Sequence, residues 1–206
     1  MQLTVPFHLQ PSRDTCMQAC VKMLLDYHGA HISFEDISQT CRCAAGGTRI
    51  EDAAEFLSRV IRRPTLAYFD PRTHPGWYRG AHAGDILKNL KSRAYAVGWN
   101  VRQIHSLISF LAQGGIWSVT VISLGQLQRI LRQKRPVIVG VEARLLWPAK
   151  KRERIEPVSH TVLVVGYTAS GILFLDPAYP GGKVLRRNNS AFLSAWYCDG
   201  GIALYL

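Results

Sequence analysis

Acidic residues are scarce in this sequence, and their scarcity sets its charge. The chain has 14 Asp and Glu against 25 Lys and Arg, which gives a formal net charge of +11 at neutral pH. A basic chain often binds nucleic acid. Here the basic residues are scattered apart from segments 129–135 and 150–154, and no nucleic-acid-binding motif accompanies them. The sequence therefore does not favour nucleic acid as a partner.

Long hydrophobic runs are absent as well. No apolar stretch approaches the roughly 20 residues that cross a membrane, although 48% of the residues are hydrophobic, which suffices for a folded core. The N-terminal segment lacks the basic region and apolar stretch of an ordinary secretory signal. We expect a single domain over residues 1–206, located in the cytoplasm or delivered by a non-classical secretion route.

The cysteines do not follow the spacing of a disulfide framework. Their number is five, and an odd count fits a free thiol in a reducing compartment. Cys41 and Cys43 lie near His28 and His31, but no second pair follows at zinc spacing. A glycine-rich phosphate-binding loop is also missing. The sequence therefore predicts neither a metal nor another cofactor.

Cys16 opens a segment with strong helical periodicity. Apolar residues recur on one face of Cys16–Tyr27, with polar residues between them. We predict a helix here, with Asp14 as its N-cap and Gly29 at its exit. Cys16 then lies in the first turn, where free N–H groups and the helix dipole favour a thiolate. Cys20, one turn deeper on the same face, is predicted to be buried and unreactive.

A histidine and an aspartate lie far downstream, at the ends of two predicted strands. The β-branched run from His160 to Tyr167 predicts a buried strand, and the run from Ile172 to Leu175 predicts its hairpin partner. A hairpin places the start of one strand beside the end of the other, so His160 and Asp176 should be neighbours. A carboxylate in that position orients an imidazole for proton transfer.

Gln10, six residues before Cys16, completes the pattern. Its side-chain N–H can stabilise an oxyanion together with the backbone N–H of Cys16. Each of the four residues alone has an ordinary structural explanation, such as a buried thiol or a turn aspartate. Together they predict a thiol acyl-transfer site. Ser159, next to His160, lacks the Gly-x-Ser-x-Gly elbow of a serine nucleophile.

This pattern resembles the papain-like cysteine peptidases, and among them the bacteriocin-processing, double-glycine-leader peptidases and their stand-alone relatives. The matching positions are Gln10, Asp14 to Cys16, Ala19, Met23, 27–29, 134–139, 160–166 and 176–177. The resemblance implies Cys16 as nucleophile and His160 as general base and acid. Asp176 then orients His160, and Gln10 donates to the oxyanion. The family usually has Gly directly after the nucleophile, whereas this chain has Met17, which we expect to crowd the cleft floor.

The remaining patterns place helices before strands. We predict helices at 48–60, where Thr48 to Glu51 form a capping box, and at 84–93, 102–113, 123–135 and 190–196. Short strands are predicted at 116–122, 137–142, 183–186 and 202–206, and a long loop at 64–84. This order predicts an α+β fold, in which an N-terminal helical lobe packs on a C-terminal antiparallel sheet. The family resemblance implies that this is the papain-like cysteine protease fold.

We interpret the chain as a cysteine peptidase that cleaves a protein or peptide substrate through a Cys-His-Asp triad, as expected of a bacterial toxin or effector. Glutamine deamidation, transglutamination or acyl transfer at the same thiol remain alternatives, as does a catalytically silent peptide-binding domain. The basic segment from Lys150 to Arg154 precedes His160. It is either a solvated loop or a cleft border that favours an acidic substrate segment, partner or inhibitor.

Overall fold

The computed structural model describes residues 1–41, 47–61, 63–68, 88, 100–147 and 158–206. Cys43, the basic segment 150–154 and most of the helix predicted at 84–93 lie outside these residues. No helix of the described ranges has the length and apolar character needed to span a bilayer.

Helices dominate the N-terminal part of the described chain. They are α1 (Cys16–Tyr27), α2 (Phe34–Thr40), α3 (Ile50–Val60), α4 (Val101–Ala112) and α5 (Leu124–Arg132), followed among the strands by α6 (Ala143–Leu146) and α7 (Asn189–Cys198). The sequence patterns did not predict α2 and α6, because seven and four residues are too short for a helical period to stand out.

α1 spans the predicted residues, but its predicted N-cap is wrong. The N-cap is Thr15, and no side chain caps the helix. Thr15 Oγ1 instead donates to the Ser12 carbonyl oxygen at 2.8 Å, so the preceding turn closes on itself. Gly29 ends the helix region with φ of +78°, which suits glycine as predicted.

The capping box predicted at Thr48 is also wrong. α3 begins at Ile50, and its N-cap Arg49 makes no side-chain cap. The Thr48 hydroxyl is occupied elsewhere, because it accepts a hydrogen bond from the fully buried Gln18 amide at 2.7 Å. This bond ties the start of α3 to α1, beside the N-terminal turn that carries Cys16.

A seven-stranded sheet forms the second layer of the described residues. Its strands are β1 (Thr65–Ala67), β2 (Ile116–Ser118), β3 (Val137–Glu142), β4 (Ser159–Tyr167), β5 (Gly171–Leu175), β6 (Leu185–Asn188) and β7 (Ala203–Tyr205). Their order is β2-β1-β7-β3-β4-β5-β6. The pair β1–β2 is parallel and the others are antiparallel. The sheet is therefore mixed and mostly antiparallel. Strand β1 lies at the start of the segment 64–84, which was predicted to be a loop.

The centre of the sheet is buried. Every residue of β3 is buried, as is β4 from Thr161 to Gly166. A strand that is buried on both faces must be covered by other elements on both sides of the sheet. Helices α1 and α7 both contact β3. Fully buried Cys20 on α1 directs its thiol to the Thr161 carbonyl oxygen, at 3.6 Å. This packing brings the first turn of α1 to the start of β4.

Candidate active site

The four residues predicted for the site line one open cleft between the helices and the sheet. Cys16 is the first residue of α1, and His160 lies at the start of β4. Asp176 follows β5, and Gln10 lies in the segment before α1. Four separate parts of the chain therefore meet at the cleft.

The β4–β5 hairpin sets the geometry of the histidine and the aspartate. Leu163 pairs with Leu175, so the chain beyond β5 runs toward the start of β4. His160 Nε2 lies 2.8 Å from Asp176 Oδ1, and the two side chains are only 12% and 5% exposed. Because Nε2 is engaged by the carboxylate, Nδ1 is the ring nitrogen that can serve Cys16.

The Cys16 thiol lies beside His160. Burial opposes its ionisation, but hydrogen bonds with His160 and Thr161 and the charge of His160 hold the pKa of Cys16 below its ordinary value. Burial also disfavours the imidazolium, yet hydrogen bonds to Asp176 and Cys16, reinforced by their charges, raise the pKa of His160 to about 9. The two groups therefore favour a thiolate–imidazolium pair at neutral pH.

Cys20 provides the contrast. It is fully buried, one helical turn from Cys16. Burial raises the pKa of its thiol well above the ordinary value, and the nearby charges of Cys16 and Asp176 add to the effect. The pKa values of two thiols on one helix therefore move in opposite directions because of where each thiol lies.

This contrast predicts the pH dependence of alkylation. Iodoacetamide should label Cys16 well below pH 7, because its thiolate is stabilised. The imidazolium of His160 exists below its raised pKa of about 9, so the ion pair should persist up to that pH and be lost above it. Peptide mapping of the adduct at a series of pH values measures this. Preferential labelling of buried Cys20 or exposed Cys198 at pH 6 would contradict the assignment.

Asp176 accepts three hydrogen bonds. Besides His160, the Ala178 backbone N–H donates to Oδ1 at 2.9 Å, and the Trp147 indole N–H donates to Oδ2 at 3.0 Å. Burial opposes ionisation, but the hydrogen bond and charge of His160, with the other donors, lower the pKa of Asp176. Sequence reasoning missed Trp147, since no local pattern links two residues that lie 29 positions apart.

Gln10 connects the two halves of the site. Its backbone N–H donates to the carbonyl oxygen of Pro177, next to Asp176, at 2.9 Å. Its side-chain Nε2 donates to the carbonyl oxygens of Ser12 and Arg13, at 2.9 and 3.3 Å. The amide is thus fixed against the turn that leads into Cys16. Its donation to an oxyanion stays a prediction.

Met17 does not crowd the cleft floor, so that expectation is wrong. The side chain is 5% exposed and belongs to the hydrophobic core. Consecutive residues of a helix point about 100° apart, and the residue after Cys16 faces inward here. The side chain of Met17, which is larger than that of glycine, therefore lies in the core and not in the cleft.

Metal ligands do not gather in the described part of the chain. No group of three or more His, Cys, Asp or Glu side chains there has a geometry that could hold an ion. Cys41 is buried, and His31 Nδ1 lies 3.1 Å from Asp26.

Helices packed on a mostly antiparallel sheet, with a cysteine at the helix start and a His–Asp pair on the sheet, constitute a papain-like peptidase fold. The chain belongs to the Peptidase C39 like family, whose model matches residues 2–204. The family resemblance predicted from the sequence is thereby confirmed.

Solved structures support the same fold. A double glycine motif protease from an AMS/PCAT transporter, crystallised in complex with the leader peptide, has a TM-score of 0.54 at 13% identity, over 99% of this chain and 92% of that one. A C39-like peptidase from Bacillus anthracis has a TM-score of 0.52 at 14% identity, over 100% and 96%. No curated protein sequence matches the chain significantly.

Proposed function

We propose that the chain is a cysteine peptidase that cleaves a peptide bond in a protein or peptide substrate. The observation that carries this proposal is the connected series of Cys16, His160 and Asp176, with a stabilised thiolate at one end and a buried carboxylate at the other. Membership of a peptidase family supports it.

The chemistry begins at the sulfur of Cys16. The thiolate attacks the substrate carbonyl carbon, a C–S bond forms, and the electron pair of the C=O bond moves to oxygen. Cys16 is the first helical residue, so its backbone N–H has no acceptor within the helix. We assign this N–H to stabilise the oxyanion, and the amide of Gln10 can join it by exchanging its longer bond, to the Arg13 carbonyl oxygen at 3.3 Å, for one to the oxyanion.

His160 then moves the proton. Its Nδ1–H protonates the leaving amine as the C–N bond breaks, which leaves an acyl-enzyme and a neutral imidazole. The imidazole next accepts a proton from water, and the resulting attack releases the acid and restores the thiolate–imidazolium pair. Asp176 stays ionised throughout, because its hydrogen-bond donors stabilise the carboxylate.

The cleft and the family support a protein or peptide as the substrate. A related protease was crystallised with a leader peptide, which supports a peptide-binding cleft here. A role as a toxin or effector, and an acidic partner or inhibitor at the basic segment 150–154, stay predictions from the sequence.

Proteome cleavage tests the proposal directly. Active protein and the Cys16→Ala variant are incubated with a cell lysate, and new N-termini are identified by chemical labelling and mass spectrometry. New N-termini that appear only with active protein are the expected result. Glutamine-to-glutamate conversion or amine incorporation without new N-termini would instead indicate deamidation or acyl transfer. Identical profiles for both proteins would contradict catalysis.

A further inference from the structure

Trp147 contacts the candidate site but has no part in the mechanism proposed above. Its indole N–H donates to Asp176 Oδ2, and the residue lines the cleft. We propose that Trp147 is a positioning residue, which fixes the Asp176 carboxylate so that its other oxygen faces His160. This inference rests on the proposed function, because it assigns a part in the same proton-transfer site.

The distribution of donors on the carboxylate supports the proposal. His160 and the Ala178 backbone N–H both contact Oδ1. The indole N–H of Trp147 donates to the other oxygen, Oδ2, at 3.0 Å. Rotation about the Cβ–Cγ bond of Asp176 would move Oδ1 out of line with His160 Nε2. A donor on Oδ2 opposes this rotation, because rotation would break its bond as well.

Trp147 is itself firmly held. The Arg187 guanidinium lies 4.3 Å from the centre of the indole, and Arg187 Nε donates to the Leu146 carbonyl oxygen at 2.8 Å. The Phe174 ring packs near the indole, with the ring centroids 6.0 Å apart. The orientation of the indole is thus set by β5 and β6, and edge strand β6 contributes to the site through Arg187.

Trp147 also gives the His160–Asp176 pair an apolar neighbour. Both side chains of the pair are largely buried. An ion pair gains strength where water is excluded, and an indole supplies apolar area together with one N–H donor. The Trp147→Phe variant would keep much of the apolar area of the indole but lose its N–H donor. It therefore separates the effect of the apolar contact from that of the hydrogen bond to Asp176.

The test is the rate of iodoacetamide alkylation of Cys16 against pH, which needs no substrate. In Trp147→Phe, His160 should be less well oriented and the thiolate less stable. We expect the acidic limb of the profile to move to higher pH, with labelling at pH 6 reduced roughly tenfold. Turnover of any substrate found should fall in kcat, with KM little changed.

A double-mutant cycle shows whether the effect passes through Asp176. In the Asp176→Asn background, the Trp147→Phe change should alter the alkylation rate by less than about twofold, because an amide NH₂ cannot accept the indole N–H. Equal effects of Trp147→Phe in both backgrounds would show a general packing role and overturn the inference.

Trp196→Phe is the matched control. Trp196 is fully buried, whereas Trp147 is half-buried, and the Trp196 indole N–H donates to the Ile202 carbonyl oxygen at 2.7 Å, so the change removes a similar bond away from the cleft. It should lower the melting temperature and leave the alkylation profile unchanged. A shift in this control equal to that of Trp147→Phe would also overturn the proposal.

Failure of this inference differs from failure of the proposed function. A wild-type profile for Trp147→Phe overturns the positioning role, while selective labelling of Cys16 in the wild type still supports the thiol site. Absence of that selective labelling counts against the proposed function itself. If Trp147→Phe does not fold, 3-benzothienylalanine at position 147 keeps the shape and lacks the N–H, and an unchanged profile again overturns the role.

Discussion

Cys16→Ala should abolish turnover, with a loss of at least about 10⁴-fold, while the protein stays folded. Cys16 supplies the atom that bonds to the substrate, so no other group can replace it. The substitution removes a single heavy atom from a residue at the cleft, and it creates no enclosed cavity. The melting temperature should therefore change by only a few degrees. Substrate cleavage and thermal unfolding of the same preparation measure the two effects.

Cys20→Ser is the control for this prediction. Cys20 is fully buried on the same helix, and its thiol faces the Thr161 carbonyl oxygen. A hydroxyl in these apolar surroundings should lower the free energy of unfolding by about 1–3 kcal/mol. The folded fraction should keep its kcat. Normal turnover by Cys16→Ala would show that the nucleophile has been assigned wrongly.

The order of elements could be predicted because the longest elements carry strong periodic patterns. α1 and β3 have the predicted bounds, since each carries a strong apolar pattern, although Gln18, a polar residue between the apolar positions of α1, is fully buried as well. β1 could not be predicted. It has three residues, and it becomes a strand because β2 and β7 provide hydrogen-bonding partners from distant parts of the chain. A pairing of this kind leaves no local signal.

Helix starts were harder to predict than helices. Asp14 and Thr48 both have side chains suited to capping, but Thr15 is the N-cap of α1 and Thr48 bonds to Gln18. Such side chains can bond to any nearby polar group, so the tertiary contacts decide. The same reasoning applies to Met17, whose direction depends on how α1 packs and not on its neighbour in sequence.

The candidate site residues were easier to predict from the sequence than the residues that hold them in position. Cys16, His160 and Asp176 could be proposed from the sequence because thiol chemistry restricts the residue types, and a hairpin restricts where the last two lie. Trp147 and Arg187 could not be found, since many residues can hold a carboxylate or an indole and no spacing marks them. The chemistry of the candidate site was thus predictable from the sequence, whereas the contacts of Trp147 and Arg187 that support it were seen only in the structure.

His160→Ala should cause a loss nearly as large as that of Cys16→Ala, by about 10³-fold or more. The variant loses both the proton donor for the leaving amine and the cation that stabilises the thiolate. Burial of Cys16 remains and opposes ionisation, so the pKa of the thiol should rise. Alkylation of Cys16 at pH 6 should therefore fall sharply and recover as the pH increases.

Asp176→Asn should be less damaging, and the difference identifies the role of each residue. The amide oxygen of Asn can still accept the hydrogen bond from His160 Nε2, but the negative charge that raises the pKa of His160 is gone. The folded-state pKa of His160 should fall, so the ion pair should be lost at a lower pH than about 9 and the alkaline limb of activity should move down. We expect Asp176→Asn to retain at least about tenfold more activity than His160→Ala. Comparison of kcat/KM against pH for both variants measures this. If Asp176→Asn is as inactive as Cys16→Ala at every pH, then Asp176 takes part in the chemical step and does not simply orient the imidazole.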